Sequence, residues 1–211
     1  MPPPPPFGRR DPPRPPTTEV IGVSGPAFDA LLDAARAGDE QSFAALWRAL
    51  NPPLLRYLYL LEPSAAEDLA AEVWLEVVRG LGRFTGDEAS FRAWVFTIAR
   101  HRGLDWRRHA ARRPTAPLPS EMFADRAAAD DPAAAALESL ATERALALIA
   151  QLPPDQAEVV LLRVVAGLDV ARVATIVGKR PGTVRVLGHR GLRRLAELLR
   201  SGLVIGWGVT R

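Results

Sequence analysis

The chain has 211 residues, of which 48% are hydrophobic and 24% charged, with a formal net charge of +3. These values are typical of a globular protein with one medium domain or two small ones. The absence of cysteine excludes disulfide frameworks, thiolate zinc sites and cysteine nucleophiles. The three histidines all lie among arginines, which disfavour a cationic metal, so we expect no metal and no other cofactor.

No apolar run approaches the 18 to 20 residues that a membrane-spanning helix needs, and the amino-terminal segment MPPPPPFGRR has no apolar signal core. We therefore expect a cytoplasmic protein without membrane insertion. Aromatic residues make up only 7% of the chain, and its apolar positions recur at helical spacing. The predicted fold class is all-α, with two small helical domains joined by a flexible linker.

Residues 1–25 contain nine of the 20 prolines and no periodic apolar pattern, which predicts a disordered or polyproline-like tail. The first helical domain is predicted over residues 26–113. Within it, we expect the tandem Pro52 and Pro53 to bend or restart a helix. The apolar residues that indicate the first helices are Phe28, Leu31, Leu32, Ala35, Phe43, Leu46, Trp47, Leu50, Leu54, Leu55, Leu58 and Leu61.

The next two predicted helices also belong to this domain. Ser64 followed by Glu67 has the spacing of a capping box and predicts a helix start, and that helix is expected to end near Gly80 or Gly82. After a turn, a further helix is predicted from about Ser90 to Ala110.

Residues 114–136 contain four prolines among small and acidic residues and are predicted to be the linker. The second helical domain is predicted over residues 137–200, and residues 201–211 are predicted to be a C-terminal tail. Within the second domain we expect a short helix from Asp169 to Val177, followed by a longer one from Pro181 to about Arg200.

The small net charge of the whole chain hides two strongly basic segments. Residues 89–113 carry seven arginines against one aspartate, a local charge of +6. Residues 178–200 carry one lysine and six arginines against one glutamate, again +6. Acidic stretches, each with a local charge of −5, cover residues 62–76 and 114–143. The pattern predicts two basic surfaces separated by an acidic connector.

On the predicted helix that begins near Ser90, five residues share an arc of about 120° opposite the apolar face. An arginine-rich arc in this position favours phosphate binding, although a merely solvated charged face explains the same pattern. The five residues are Thr97, Arg100, His101, Arg107 and Arg108.

The helix beginning near Pro181 has a similar basic arc, and the short helix before it ends at a Gly-containing turn. A helix, a tight turn and a basic second helix form a helix-turn-helix pattern. Its arginines and histidine are suited to guanine edges or phosphates, and its valine to a thymine methyl. A purely structural helix pair is the alternative. The predicted DNA-binding residues are Arg180, Thr183, Arg185, Val186, His189, Arg190 and Arg193, which we call the −35 set.

Asp68, Glu72 and Glu76 recur at four-residue spacing, and we call them the acidic ridge. Like charges at this spacing destabilise an isolated helix by a few tenths of a kcal/mol. A row of acids beside the apolar residues Leu69, Val73 and Val77 suits a basic protein partner better than DNA. Solubility alone explains the ridge equally well.

The order of these features resembles the bacterial extracytoplasmic-function (ECF) RNA polymerase sigma factors. The segment EDLAAEVWLEVV over residues 67–78, followed by FTGDEASFRAWVFTIARHRGLDWRRH over 84–109, resembles region 2 of that family. The segment QLPPDQAEVVLLRVVAGLDVARVATIVGKRPGTVRVLGHRGLRRL over residues 151–195 resembles region 4. His101 stands where the family frequently has asparagine, so the resemblance does not predict which promoter sequence the protein recognises.

The resemblance implies a transcription initiation subunit rather than an enzyme. It implies that the acidic ridge contacts the beta-prime clamp helices of core RNA polymerase. It also implies that the helix-turn-helix reads the −35 promoter element through the −35 set and contacts the beta flap of the polymerase. It implies that Phe84, together with the five residues of the basic arc, recognises and opens the −10 element; we call these six residues the −10 set. It also suggests an anti-sigma factor as a partner.

Two other functions remain open at this stage. A dimeric helix-turn-helix regulator that acts without polymerase explains residues 151–200 but not the acidic ridge or the first basic helix. A carboxylate-dependent hydrolase is disfavoured, because a helical di-metal site needs Glu-x-x-His pairs and no histidine lies near the acidic residues.

Overall fold

The computed structural model describes residues 25–112 and 143–205, with side chains up to Ser201. The predicted tail before Gly25, the predicted linker and residues 206–211 lie outside the described residues. The helices of the described part, in chain order, are α1 (Pro26–Arg36), α2 (Glu40–Leu61), α3 (Ala66–Leu81), α4 (Glu88–Ala110), α5 (residues 143–149), α6 (Pro154–Val164), α7 (Val170–Val177) and α8 (Pro181–Ile205).

Helices α1 to α4 pack around one apolar interior, which we call the first helical group. Asp39 begins α2 and Asp87 begins α4 as N-caps, since their carboxylates accept the backbone N–H groups of Ser42 at 2.8 Å and Ser90 at 2.9 Å. The fully buried side chains at the centre come from all four helices and include Phe28, Leu32, Leu46, Leu50, Leu54, Val73, Val77, Phe91, Val95 and Phe96.

Of the two outcomes predicted at the proline pair, the restart is wrong, and the predicted capping box is also wrong. Helix α2 runs without a restart through Pro52 and Pro53, and Leu50 and Leu54 on either side of the pair are both fully buried. Burial of the flanking leucines outweighs the loss of backbone donors at the prolines. The capping box at Ser64 does not form either.

A short 3-10 helix, Pro63–Ala65, precedes α3, and no side chain in the described part of the chain caps the α3 start. The Glu67 carboxylate accepts the Tyr59 hydroxyl at 2.9 Å instead of a backbone N–H group. A contact with the neighbouring helix has therefore replaced the local cap.

Helices α5 to α8 form the second helical group, in which α6 and α8 pack closely. Helix α7 begins at the N-cap Asp169, which accepts the backbone N–H group of Arg172 at 2.8 Å. It ends at Gly178, whose left-handed φ of 66° allows Lys179 to donate its N–H group back to the Ala174 carbonyl at 3.0 Å. Helix α8 extends to Ile205, past the predicted end at Arg200.

Candidate functional site

All seven residues of the −35 set are exposed on or just before α8. Val186 is 48% exposed, and the Arg193 side chain is 75% exposed and forms an ion pair with the neighbouring Glu197 at 3.2 Å. The opposite side of α8 packs into the second group through Val184, which is 1% exposed, and Gly191. The predicted basic arc of α8 is therefore exposed, and the opposite side of the helix faces the core.

The orientation of this basic side depends on close packing between α8 and α6. At Gly191 an added Cβ would lie only 2.6 Å from Cγ2 of Val160, so the two helices approach more closely than any side chain would allow. The Schellman-type turn at Gly178 sets the path from α7 into α8. The −35 set thus stands on a rigid, well-packed helix pair.

The basic arc of α4 divides into two parts. His101 and Arg108 point to solvent, and among the described residues Arg108 forms an ion pair with Asp105 on its own helix, at 3.0 Å. Arg107 instead reaches the α2 end, where it donates to the Glu62 carboxylate and the Leu61 carbonyl, both at 2.6 Å. The freely available cations of the arc are therefore at its exposed edge.

Two further residues of the arc are already engaged within the chain. Arg100 donates through Nε to the Glu158 carboxylate on α6 at 2.8 Å. Thr97 is half-buried, and its hydroxyl donates to the Ala93 carbonyl at 2.7 Å. Before either residue could bind DNA through these atoms, the contact shown here would have to be broken.

Phe84 belongs to an aromatic cluster at the start of the loop between α3 and α4. Its ring stacks on Trp94 with centroids 5.0 Å apart and an angle of 16° between planes, and it meets Phe91 edge-on at 5.5 Å. Phe91 is fully buried, whereas Phe84 and Trp94 are half-buried. The guanidinium of Arg36 covers the Phe84 ring at 5.3 Å from its centroid.

Helix α1 holds the same loop in place by polar contacts. Arg36 donates to the Gly86 carbonyl at 2.9 Å, and the Asp29 carboxylate accepts the backbone N–H group of Glu88 at 2.8 Å. The Glu88 carboxylate in turn accepts the N–H group of Gly25 at 2.6 Å. Hydrogen bonds from Ser90 lower the pKa of the Asp87 carboxyl, so this N-cap stays ionised at neutral pH.

The acidic ridge lies on the exposed side of α3 and is bridged by one arginine from α4. Arg102 lies 2.7 Å from a Glu76 carboxylate oxygen and 3.7 Å from one of Glu72, which offsets the repulsion between these acids. The hydrogen bond to Glu76 raises the pKa of the Arg102 guanidinium. Asp68 is exposed at the other end of the ridge.

Apolar residues accompany the ridge on the outside of the molecule. Leu69, Val73 and Val77 are all buried in the core and are not available to a partner. The large apolar side chains exposed on α3 are instead those of Leu75 at 55% and Val78 at 54%. Acids and large apolar side chains on one exposed helix form a surface suited to a partner protein.

A groove of about 510 Å³ runs between α2 and α3 beside this surface. At its floor the Trp74 indole N–H donates to the Asn51 side-chain carbonyl at 2.9 Å, a hydrogen bond between two buried side chains. The residues that line the groove are Trp47, Asn51, Leu55, Glu67, Ala70, Ala71 and Trp74.

Several of these residues were missed by reasoning from the sequence. Leu75 and Val78 could have been found, because they are large apolar residues on the polar side of the α3 helical wheel. The contacts made by Arg36, Arg102 and Glu158 could not have been predicted from local sequence patterns, because each of these residues contacts a helix or loop far away in sequence. Within the described ranges, no cluster of histidine and carboxylate side chains could hold a metal ion, and none of the described helices is long and apolar enough to cross a membrane.

Two helical groups, one with an acid-bearing α3 and a basic α4 and the other with an exposed helix-turn-helix, define a sigma-70 type protein. The family model described as "Sigma-70 region 2" matches residues 46–113, and "Sigma-70, region 4" matches residues 142–195. The solved sigma factor RpoE from Bartonella quintana, in complex with the anti-sigma factor NepR, has the same fold, with a TM-score of 0.56 and 21% identity. That match covers 76% of this chain and 98% of RpoE.

Curated relatives narrow the class further. ShbA of Streptomyces griseus, an ECF RNA polymerase sigma factor, is 38% identical over 86% of this chain and 96% of its own length. BldN of Streptomyces coelicolor, of the same family, is 34% identical over 80% of this chain, and the match spans 64% of its length. The chain therefore belongs to the ECF RNA polymerase sigma factors. It is a polymerase-associated sigma factor and not a regulator that acts without polymerase.

Proposed function

We propose that this sigma factor binds core RNA polymerase and directs it to promoters with the −35 and −10 sets on separate helical groups. The observation that supports this most is the outward side of α8, where all seven residues of the −35 set are exposed. Arginine and histidine side chains there can reach guanine edges and phosphates, while Val186 offers an apolar contact to a thymine methyl. Phosphate contacts would supply affinity and base contacts the specificity.

The acidic ridge is the proposed contact with core polymerase. Its exposed carboxylates and the apolar side chains of Leu75 and Val78 fit a basic, partly apolar partner such as the beta-prime clamp helices. The second helical group is proposed to contact the beta flap. Residues 26–113 and 137–200 would then act as separate domains tethered by residues 114–136.

Opening of the −10 element is assigned to α4 and the loop before it. Removing a base from the stack costs a few kcal/mol, which a pocket for the base and a cationic surface for the strand can offset. His101 and Arg108 are exposed and available to hold the strand. Phe84 contributes to opening mainly by stacking on Trp94, which holds the loop between α3 and α4 in place.

The remaining parts of the proposal concern partners and location. The solved RpoE is bound to the anti-sigma factor NepR, and we propose an anti-sigma factor for this chain as well. We propose that it acts in the cytoplasm, where core polymerase and promoter DNA are found, and that it has no enzymatic activity of its own.

Transcription reconstituted in vitro tests the central proposal. Core polymerase from the source organism is mixed with fragmented genomic DNA, with and without the protein, and the 5′ ends of transcripts are sequenced. We expect new start sites that share sequence elements about two helical turns apart. If adding the protein produces no new start sites, the proposal is wrong.

Variants of α8 test the −35 assignment. Arg185→Ala and Arg193→Ala should each weaken binding of the holoenzyme to the selected promoters by about 1–3 kcal/mol if they contact bases. Arg200→Ala removes the same charge from the same exposed helix, outside the −35 set, and serves as the matched control. Core association, measured by pull-down, should stay unchanged in all three variants. Equal loss of promoter and core binding would contradict the division of roles.

A further inference from the structure

Arg36, the last residue of α1, binds the loop between α3 and α4 in two ways. One arm of its guanidinium donates to the Gly86 carbonyl at 2.9 Å, and the guanidinium carbon lies 5.3 Å from the centroid of the Phe84 ring. The other arm donates to the Asp33 carboxylate, one turn earlier on α1, at 2.7 Å. A single side chain of a separate helix thus contacts both the backbone and the aromatic ring of the loop.

The loop itself is closely packed around Phe84. An added Cβ at Gly86 would lie 2.9 Å from Cβ of Ser90 and 3.1 Å from Cζ of Phe84. The φ of Gly86 is 146°, a value that favours glycine. The Phe84 ring also stacks on Trp94, with centroids 5.0 Å apart. A displacement of Gly86 away from Arg36 would therefore disturb the packing of Phe84.

The position of Arg36 is set by these contacts. Its side chain is only 24% exposed, and its Nε atom is buried without a hydrogen-bond partner among the residues that the structure describes. Because an unpaired buried polar atom is unfavourable, the contacts with Asp33, Gly86 and Phe84 must hold the arginine in this place. They use the planar shape and the two arms of a guanidinium, which a lysine ammonium lacks.

We propose that Arg36 is a positioning residue for promoter opening, which acts through the loop and not by touching DNA. The inference rests on the proposed function, which assigns the opening of the −10 element to α4 and this loop. A base that leaves the stack gains more from a loop already in its binding conformation than from one that must first become ordered. By fixing Gly86 and Phe84 before the base arrives, Arg36 favours opening without contributing to the first binding of the duplex.

Fluorescence of 2-aminopurine in the −10 element tests the role in opening. The base analogue replaces an adenine in one of the selected promoters, and its fluorescence rises when it leaves the base stack. In the holoenzyme, Arg36→Ala should slow this rise about tenfold, as expected for the loss of one hydrogen bond from a charged group. Binding of the same DNA at low temperature, where the duplex stays closed, should be unchanged.

Two further variants separate the geometry of Arg36 from its charge. Arg36→Lys keeps the positive charge but not the two-armed guanidinium, so we expect it to open the promoter slowly, like Arg36→Ala. Arg48→Ala is the matched control and should open the promoter at the normal rate. It removes the same charge from an exposed position of the same helical group, where Arg48 donates to the Ala44 carbonyl of its own helix at 3.2 Å.

A template with a mismatched −10 element, which is already open, identifies the affected step. On this template both Arg36 variants should initiate transcription as well as the unchanged protein does, which also shows that they fold and bind core polymerase. A defect as large as on the paired template would mean that Arg36 does not act in opening, and the proposal would be overturned.

The outcomes also separate this inference from the proposed function. If the unchanged protein gives no rise in fluorescence, the proposed function fails and the inference fails with it. If the unchanged protein opens the promoter and either Arg36→Ala or Arg36→Lys opens it at the same rate, the proposed function stands and the positioning role of Arg36 alone is refuted.

Discussion

Two glycines of α8, three residues apart, allow the packing between α8 and α6 to be measured. At Gly188 an added Cβ would meet only Cγ1 of Val159, at an ordinary contact distance of 3.6 Å. At Gly191 it would lie 2.6 Å from Cγ2 of Val160 and 3.5 Å from the Gln156 carbonyl oxygen. The same substitution, Gly→Ala, therefore meets open packing at one site and a clash at the other.

The expected magnitudes follow from two opposing effects. Alanine stabilises a helix interior by about 1 kcal/mol relative to glycine, and this gain applies at both positions. At Gly191 the buried Val160 must move by about 1 Å to reach a normal carbon–carbon distance, and its branched side chain has few other rotamers. Overpacking of this kind costs about 1–3 kcal/mol. Gly188→Ala should thus raise the free energy of unfolding, and Gly191→Ala should lower it or leave it unchanged.

Urea denaturation of the full chain, followed by circular dichroism at 222 nm, gives the free energy of unfolding of each variant. The difference between the two variants should be about 1–3 kcal/mol, because the helix-propensity gain cancels between them. Hydrogen exchange of the α6 amides localises the change to the second helical group. If Gly191→Ala stabilises the chain as much as Gly188→Ala does, the close approach of α8 and α6 is not a constraint and the reasoning is wrong.

Three further predictions concern single contacts. Trp74→Phe should destabilise the chain by about 1–3 kcal/mol in urea denaturation, because it leaves the buried Asn51 carbonyl without its donor. Gly178→Ala should cost about 1 kcal/mol, measured by thermal unfolding, since the left-handed φ of 66° strains alanine while its Cβ meets nothing. Burial raises the pKa of Tyr57 well above the ordinary value of 10.0, and burial with the Glu67 hydrogen bond raises the pKa of Tyr59 to about 12. The free energy of unfolding should therefore be unchanged below about pH 10 and fall as the pH rises further, because the two tyrosines ionise in the unfolded chain first. Absorbance at 295 nm, which reports tyrosine ionisation, should rise near pH 10 in urea but not in the folded protein.

The helices and the exposed basic side of α8 could be predicted from the sequence because their determinants are local. Apolar spacing, N-cap aspartates and a glycine turn act within a few residues of the structure that they specify. The outward position of Arg185 and Arg193 follows directly from helix periodicity. The same reasoning predicted Phe28 and Leu32 on the apolar side of the first helix, where both are fully buried.

The failures have a common physical cause, which is tertiary contact. Pro52 and Pro53 do not restart α2, because leucines on both sides of them are buried in one core. Glu67 bonds to a tyrosine of the neighbouring helix instead of capping its own. Likewise, helix periodicity places Arg100 on the solvent side of α4, but it cannot show that a carboxylate 58 residues further along the chain meets it there.

The dependence of the α3–α4 loop on α1 has a consequence for the choice of fragment boundaries. The region 2 family match begins at residue 46, after α1 has ended. A recombinant fragment cut at that boundary would lack Arg36 and Asp29, which hold the loop at Gly86 and Glu88. A fragment intended for crystallisation or for strand-opening assays should start no later than Gly25.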